Sequence, residues 1–325
     1  MPRYHRLTSL LVAAPLALLV ACGSSGGTDA AATSGPVYGP ATPAATTLGT
    51  APADQLPTAT GKIGEKPTLT FPSTPPPPGV QRAFLVEGTG PEVQQGDLLV
   101  ANYYGAVWGS ATPFDNSYDK KKAASFTIGT GAVVPGWDLA LVGVPVGSRV
   151  LLTLSPSDGY GLAGNESAGI SGTDTLVFVI DVLQTLGADQ FGQADAVVQP
   201  APANAPIVTG APGTEPSLTI PAGLAEPTEP KTDVLATGTG APVTYGLVYL
   251  QYAVWSWADG TQQGASWTQG GPQEVEITES LTQLAGLIGV PVGSRVLLQL
   301  PADAESGSPA SAFVIDVLYQ APPVA

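Results

Sequence analysis

The chain has 325 residues, 43% of them hydrophobic and only 11% charged, with a formal net charge of −15. That length admits two ordinary domains plus connecting segments, and the acidic balance argues against nucleic acid, whose phosphates need basic surface. The single cysteine, Cys22, and the single histidine, His5, exclude an internal disulfide, a zinc cluster and a Cys/His nucleophile system.

In chain order, residues 1–21 read as a bacterial lipoprotein signal peptide. Arg3 and Arg6 supply the basic start and Leu10 to Val20 the apolar stretch. Leu19-Val20-Ala21-Cys22 resembles a lipobox, which puts the lipid on Cys22 and the mature protein on the outer face of the bacterial cytoplasmic membrane, extracytoplasmic and lipid-anchored. A plain secretory signal or an uncleaved anchor helix is the alternative. Residues 22–65 are rich in Gly, Ser, Ala, Thr and Pro, and this composition predicts a disordered tether. Pro75 to Pro78 form a short stiff piece.

Residues 66–186 form the first predicted domain. Val100-Ala101-Asn102-Tyr103-Tyr104-Gly105 leads to Phe114-Asp115-Asn116-Ser117. Phe126-Thr127-Ile128 alternates like a strand and meets a glycine turn at Gly129-Thr130-Gly131. Val133-Val134, Pro135-Gly136 and Trp137 follow, then a short apolar run, Leu139 to Val142, long enough for only a few helical turns. Arg149 to Leu154 reads as a strand buried on at least one face. Tyr160 stands between two glycines. A Gly/Ala-rich stretch, Leu162 to Gly169, predicts a loosely ordered flap before Ile170. Phe178 to Leu183 is a last apolar strand.

Residues 187–213 return to Ala, Pro and Gln and read as a linker. Residues 214–321 then repeat the first domain. Gly143 to Leu152 recurs unchanged as Gly289 to Leu298, and Phe178 to Leu183 recurs as Phe313 to Leu318. Pro67 to Pro72 has a counterpart in Pro216 to Pro221.

The order of glycine turn, Val-Val, Gly-Trp, short helix, V-G-S-R-V strand and Tyr-Gly resembles the FKBP family of peptidyl-prolyl isomerases, over about residues 80–186. The resemblance implies an α+β fold: an FKBP-like antiparallel sheet, a half-barrel, wrapped around one short helix, here in two tandem copies. It also implies cis–trans isomerisation of X–Pro bonds in exported or unfolded polypeptides, with no cofactor and no metal. By resemblance Trp137 is the floor under the proline ring. Tyr103, Phe114, Phe126 and Phe178 are aromatic walls, completed by Val133, Val134 and Ile170. The Val134 N–H holds a substrate carbonyl, Tyr160 offers its hydroxyl to another, and Asp115 orients Tyr103. The family often has Pro-Pro after the flap isoleucine, whereas Ser171-Gly172 stands here.

In the second copy the counterpart of Trp137 is Gln283 and that of Tyr160 is Ser306. Phe114-Asp115 falls near Gly264-Ala265, and the interval Gly161–Phe178 shrinks to Gly307–Phe313. These losses predict an inactive, degenerate domain. Plainer readings stand beside the functional ones. A buried tryptophan is often only core, Asp115 can cap a turn, and strand aromatics such as Tyr103 and Phe178 pack cores anyway. Lys120-Lys121-Lys122 reads as a solvated loop tip or as an attractor of acidic partners. Tyr249, Tyr252, Trp255, Trp257 and Trp267 read as core or as a peptide-binding face. The rival function is a non-catalytic peptide-binding, chaperone or scaffold lipoprotein. A Ser/His/Asp hydrolase is excluded, because His5 lies in the segment expected to be cleaved.

Overall fold

A computed structural model describes residues 47–324 and divides the chain into two compact units, with the break between Ala188 and Asp189. The signal peptide expected over 1–21 and the lipid site at Cys22 lie outside the described residues.

In the first unit the strands are β1 (Leu48–Gly49), β2 (Thr58–Thr60), β3 (Thr68–Thr70), β4 (Val80–Val86), β5 (Leu98–Val107), β6 (Pro113–Asn116), β7 (Ala124–Thr127), β8 (Arg149–Leu154) and β9 (Leu176–Leu186). The main sheet runs β1-β4-β8-β9-β5-β6, with β7 also on β5, and β2 and β3 form a separate hairpin. Every pair in the main sheet is antiparallel except β1 with β4. β7 pairs with Leu98 to Ala101 and β6 with Tyr104 to Ala106, so the two share one edge of β5.

A seven-residue helix, Pro135–Leu141, lies against one face. Pro135 suits its first turn, where an N–H would have no partner and the fixed φ is already helical. Gly143, at φ +79°, follows its end. The helix buries Gly136, Trp137, Ala140 and Leu141. Gly136 permits the close approach: a Cβ there would stand 2.3 Å from Leu154 Cδ2. Val150, Leu152 and Leu154 of β8 join this core with Leu99, Leu176, Phe178 and Ile180.

All six residues of β8 are buried, so the opposite face is covered too. The chain ahead of β4 covers it. Leu56 and Leu69 are buried, and Phe71 meets Trp108 edge-on at 5.6 Å. The Arg149 guanidinium donates to the carbonyls of Gly61 and Glu65, each at 2.8 Å, while the Gly64 N–H donates to Asp181 at 2.7 Å. Here the structure departs from the expected tether over 22–65: residues 47–65 are part of the fold. Few apolar residues suffice there, because two buried leucines and a charge-assisted clasp hold a strap that has no core of its own.

The second unit contains β10 (Val197–Val198), β11 (Ile207–Thr209), β12 (Ser217–Thr219), β13 (Lys231–Thr237), β14 (Gly246–Ser256), β15 (Gln262–Ala265), β16 (Gln273–Ile277), β17 (Arg295–Leu300) and β18 (Ser311–Gln320). Its sheet runs β10-β13-β17-β18-β14-β15, with β16 also on β14. The segment 187–213, expected as a linker, contributes β10 and β11. Arg295 donates to the carbonyls of Ala211 and Thr214 and pairs with Asp316 at 2.6 Å. Tyr249, Tyr252, Trp255 and Trp257 are buried and serve the core. Trp267 stacks on Phe191 and donates to the Gln190 carbonyl. Among the described residues no helix is long and apolar enough to cross a membrane.

Candidate active site

Trp137 is the hub of an aromatic cluster on the helix face of the first sheet. Its ring centroid lies 4.9 Å from Phe126, 5.1 Å from Phe178 and 6.0 Å from Tyr103. Tyr103 and Phe126 are 5.6 Å apart, and Phe114 and Phe178 5.7 Å. All five contacts are edge-on, the arrangement that aromatic quadrupoles favour. β5 supplies Tyr103, β6 Phe114, β7 Phe126 and β9 Phe178, so four strands and the helix converge on one spot.

Gly105 on β5 leaves room for this convergence. A Cβ there would fall 2.7 Å from the Phe114 ring and 2.8 Å from the Phe178 ring. Val133, Val134 and Ile170 are buried in the same cluster, and Tyr160 packs against it, partly buried. The structure thus brings together Tyr103, Phe114, Phe126, Val133, Val134, Trp137, Tyr160, Ile170 and Phe178.

Asp115 joins through a hydrogen bond. The Tyr103 hydroxyl donates to its carboxylate at 2.6 Å. A bulge in β6 opposite Gly105 and Ala106 breaks the strand's alternation, so the successive residues Phe114 and Asp115 both serve the Tyr103 face. Asn116 next caps the four-residue helix Ser117–Lys120, accepting from the Asp119 N–H at 2.8 Å. That helix returns Lys120 to the site, where its ammonium lies 2.5 Å from Asp115 and 3.2 Å from the Tyr103 hydroxyl.

Two polar features concern the backbone and the floor. The Val134 carbonyl accepts the first bonds of the helix from Trp137 and Asp138. Its own N–H makes no hydrogen bond among the described residues. The Trp137 indole N–H is buried and likewise unpaired, which costs about 1–3 kcal/mol for such a group. The approach to Val133-Val134 is pinned by Asp138, which accepts from the N–H groups of Gly129 and Gly131 at 2.6 and 2.7 Å. Sequence reasoning missed this anchor and the Lys120 contact. A Gly-Thr-Gly turn shortly before a helix with an acid in its first turn is the readable signal for the first.

The flap is more tightly built than its Gly/Ala content suggests. Asn165 and Ile170 exchange backbone hydrogen bonds at 2.8 and 2.9 Å. Gly172 packs so closely that a Cβ would meet the Leu162 carbonyl. Leu162 itself projects, 94% exposed. Beside Tyr160 the Asp158 carboxyl is buried, and burial pushes its pKa up.

Among its described residues the second unit has no such cluster. It has a 3-10 turn, Thr282–Leu287, and Leu281, Leu284 and Leu287 fill its core. The Gln283 Oε1 is buried and unpaired. Burial pushes the Tyr252 phenol up to about 12. Among the described residues no group of three or more His, Cys, Asp and Glu is placed to hold a metal.

The family model described as FKBP-type peptidyl-prolyl cis-trans isomerase matches residues 90–183, within the first unit. The FK506-binding protein of Streptomyces anulatus is 33% identical over 119 residues, which are 37% of this chain and 96% of that protein. FK506-binding protein 1A of Neurospora crassa is 34% identical over 115 residues, 34% of this chain and 92% of its own length. The bovine peptidyl-prolyl cis-trans isomerase FKBP4 is 36% identical over 118 residues, but the match spans only 25% of its length.

Proposed function

The chain belongs to the FKBP-type peptidyl-prolyl cis-trans isomerases, and from that premise we propose that its first unit isomerises X–Pro bonds in exported or unfolded polypeptides. The observation that carries this reading is the aromatic cluster around Trp137, edged by the unpaired Val134 N–H and by the Tyr103–Asp115 hydrogen bond.

Rotation about an X–Pro bond faces a barrier of about 18–20 kcal/mol from amide resonance. Twisting removes the resonance, so the twisted imide has a less polar carbonyl and a basic nitrogen. A nucleophile or a metal is not required. A dry apolar box that grips the proline ring favours the twisted state over the planar ones, and each 1.4 kcal/mol or so of that preference is a factor of ten in rate. In this reading Trp137 is the floor, and Tyr103, Phe114, Phe126 and Phe178 are walls. Val133 and Ile170 close the box. Val134 holds a substrate carbonyl through its N–H, Tyr160 a second through its hydroxyl, and Asp115 fixes Tyr103.

The second unit we read as a degenerate tandem copy with a binding or scaffolding role. Its strand order parallels that of the first sheet, while the aromatic cluster is missing. The lipobox-like run ending at Cys22 supports cleavage after residue 21, lipidation of Cys22 and residence on the outer face of the cytoplasmic membrane. A non-catalytic peptide-binding role for the whole protein is the second reading, which the missing cluster supports for the second unit only.

The test is prolyl isomerisation of a short X–Pro peptide, followed by NMR exchange, with the full chain and with its Trp137→Leu variant. Acceleration by the wild type that is lost in a folded variant supports catalysis. A folded wild type that binds the peptide without accelerating exchange overturns it in favour of the second reading.

A further inference from the structure

A run of exposed basic side chains adjoins one corner of the aromatic box. In a chain of net charge −15 with only 11 Lys and Arg, three of those residues are consecutive, Lys120 to Lys122, and all three are exposed. Of the unit's other basic groups, Lys62 is also exposed, on the strap. Arg149 is buried against Asp181, and Arg82 donates to the Ala140 carbonyl at 2.7 Å. Lys66 pairs with Asp119 at 2.6 Å, on the same four-residue helix that carries Lys120.

The local backbone brings Lys120 of this run to the site. Lys121 adopts φ +52° and caps the helix with its N–H on the Ser117 and Tyr118 carbonyls, which fixes where Lys120 leaves the helix and where the loop turns. Lys120 then touches two box residues at once, Asp115 at 2.5 Å and the Tyr103 hydroxyl at 3.2 Å, and its ammonium sits 5.8 Å from the Tyr103 ring centroid. Its side chain is still 57% exposed, so it is open to an incoming chain. Charge on the rim of an apolar cleft, in an otherwise acidic molecule, raises the local concentration of the opposite charge and orients it on approach.

We propose that the Lys120–Lys122 run makes this site selective for polypeptide segments with a carboxylate side chain within one or two residues of the target proline. The inference rests on the isomerase reading of the same site and goes further by naming a substrate class. Lys120 is the member in contact with the box, and Lys121 and Lys122 follow it directly, both exposed.

The experiment compares kcat/KM of the full chain on three matched X–Pro peptides, with Glu, Gln or Lys beside the X–Pro pair, at low and at physiological salt. The expected order is Glu over Gln over Lys, with about two- to fivefold between neighbours at low salt and a narrower spread at higher salt. A Lys121→Glu/Lys122→Glu chain should reverse the order. Because each variant is read as a ratio between peptides, a partial loss of folded protein does not affect the outcome. Equal kcat/KM for the three peptides at low salt, with the Gln peptide turned over, overturns the proposal and leaves the isomerase reading standing. If no peptide is turned over, the isomerase reading itself falls, and this inference with it.

Discussion

The Arg149 guanidinium and the Asp181 carboxylate face each other across β8 and β9 in two contacts of 2.5 and 2.8 Å, both side chains almost fully buried. The pair does more than neutralise itself. Its outer N–H groups hold the carbonyls of Gly61 and Glu65, and Asp181 also accepts from Gly64 and from the Tyr118 hydroxyl. A charge pair inside a sheet thus clasps the strap that covers that sheet's outer face. Burial and the neighbouring Asp181 charge push the Tyr118 phenol well above its ordinary range.

Replacing Arg149 by Met should cost about 3–5 kcal/mol, because it leaves Asp181 buried without its counter-charge. The strap should also let go. Hydrogen–deuterium exchange should therefore accelerate in residues 58–70 as well as in β8 and β9. A double change, Arg149→Met with Asp181→Leu, should recover part of the stability, since the buried charge is gone, but leave the strap exchanging fast. Protection of 58–70 that survives the single change would show that Leu56 and Leu69 hold the strap unaided.

Trp137→Phe keeps an aromatic floor but shortens it and removes the unpaired indole N–H. The cavity left by the smaller ring destabilises, while loss of an unsatisfied donor stabilises. The net change in stability should stay below about 1.5 kcal/mol, in the range of tolerated core swaps. The rate should fall much further, by tenfold or more in kcat/KM, if the floor is what favours the twisted imide. Urea denaturation and peptide exchange on the same preparation separate the two effects.

Gly136→Ala tests how closely the helix must sit. The new methyl would stand 2.3 Å from Leu154 Cδ2 and 3.1 Å from the Asp158 carbonyl. Either Leu154 leaves its rotamer or the helix lifts, at about 1–3 kcal/mol. Since Trp137 is the next residue, the floor should move as well. A fall in kcat/KM larger than the loss of folded protein explains is the expected readout.

Asp158 carries a pH dependence. Its carboxyl is pushed above the ordinary Asp value chiefly by desolvation, with the Ser157 hydroxyl opposing. The folded state therefore holds this proton more tightly than the unfolded chain does. Its contribution is full below the unfolded pKa and is lost as pH rises through the raised folded value. Asp158→Asn should accordingly raise the melting temperature at neutral pH and do little in acid. A variant that gains nothing at pH 7.5 relative to pH 4 would show that Asp158 is solvated when charged.

Much of the first unit was legible in the sequence, for reasons that can be named. β8 and β9 are apolar runs bounded by turn residues, and Gly129-Thr130-Gly131 marks the turn before the helix, with φ of +80° and +82° at its two glycines. The recurrence of Gly143 to Leu152 as Gly289 to Leu298 announced a second sheet with related strands. The aromatic and valine set was legible only because a family order linked it. In sequence, Tyr103 and Phe178 are distant strand residues with nothing to say that they share a box.

The straps were not legible. Residues 47–65 and 187–213 have the composition of linkers, and composition reports how much apolar surface a segment offers, not whether another surface needs covering. That need arises only once β8 and β9 lie side by side, with Leu151, Val177 and Val179 turned away from the helix and demanding a lid. One trace of it was present in the chain: a lone arginine and a lone aspartate inside otherwise apolar strands, repeated as Arg295 and Asp316. A charge in such a place requires partners. The sequence by itself determined the strand pattern, the turns and the inventory of the box. The tertiary structure decided that Lys120 reaches the Tyr103 hydroxyl and that the strap meets Arg149, because both contacts join segments whose approach is set by packing across the sheet rather than by their spacing along the chain.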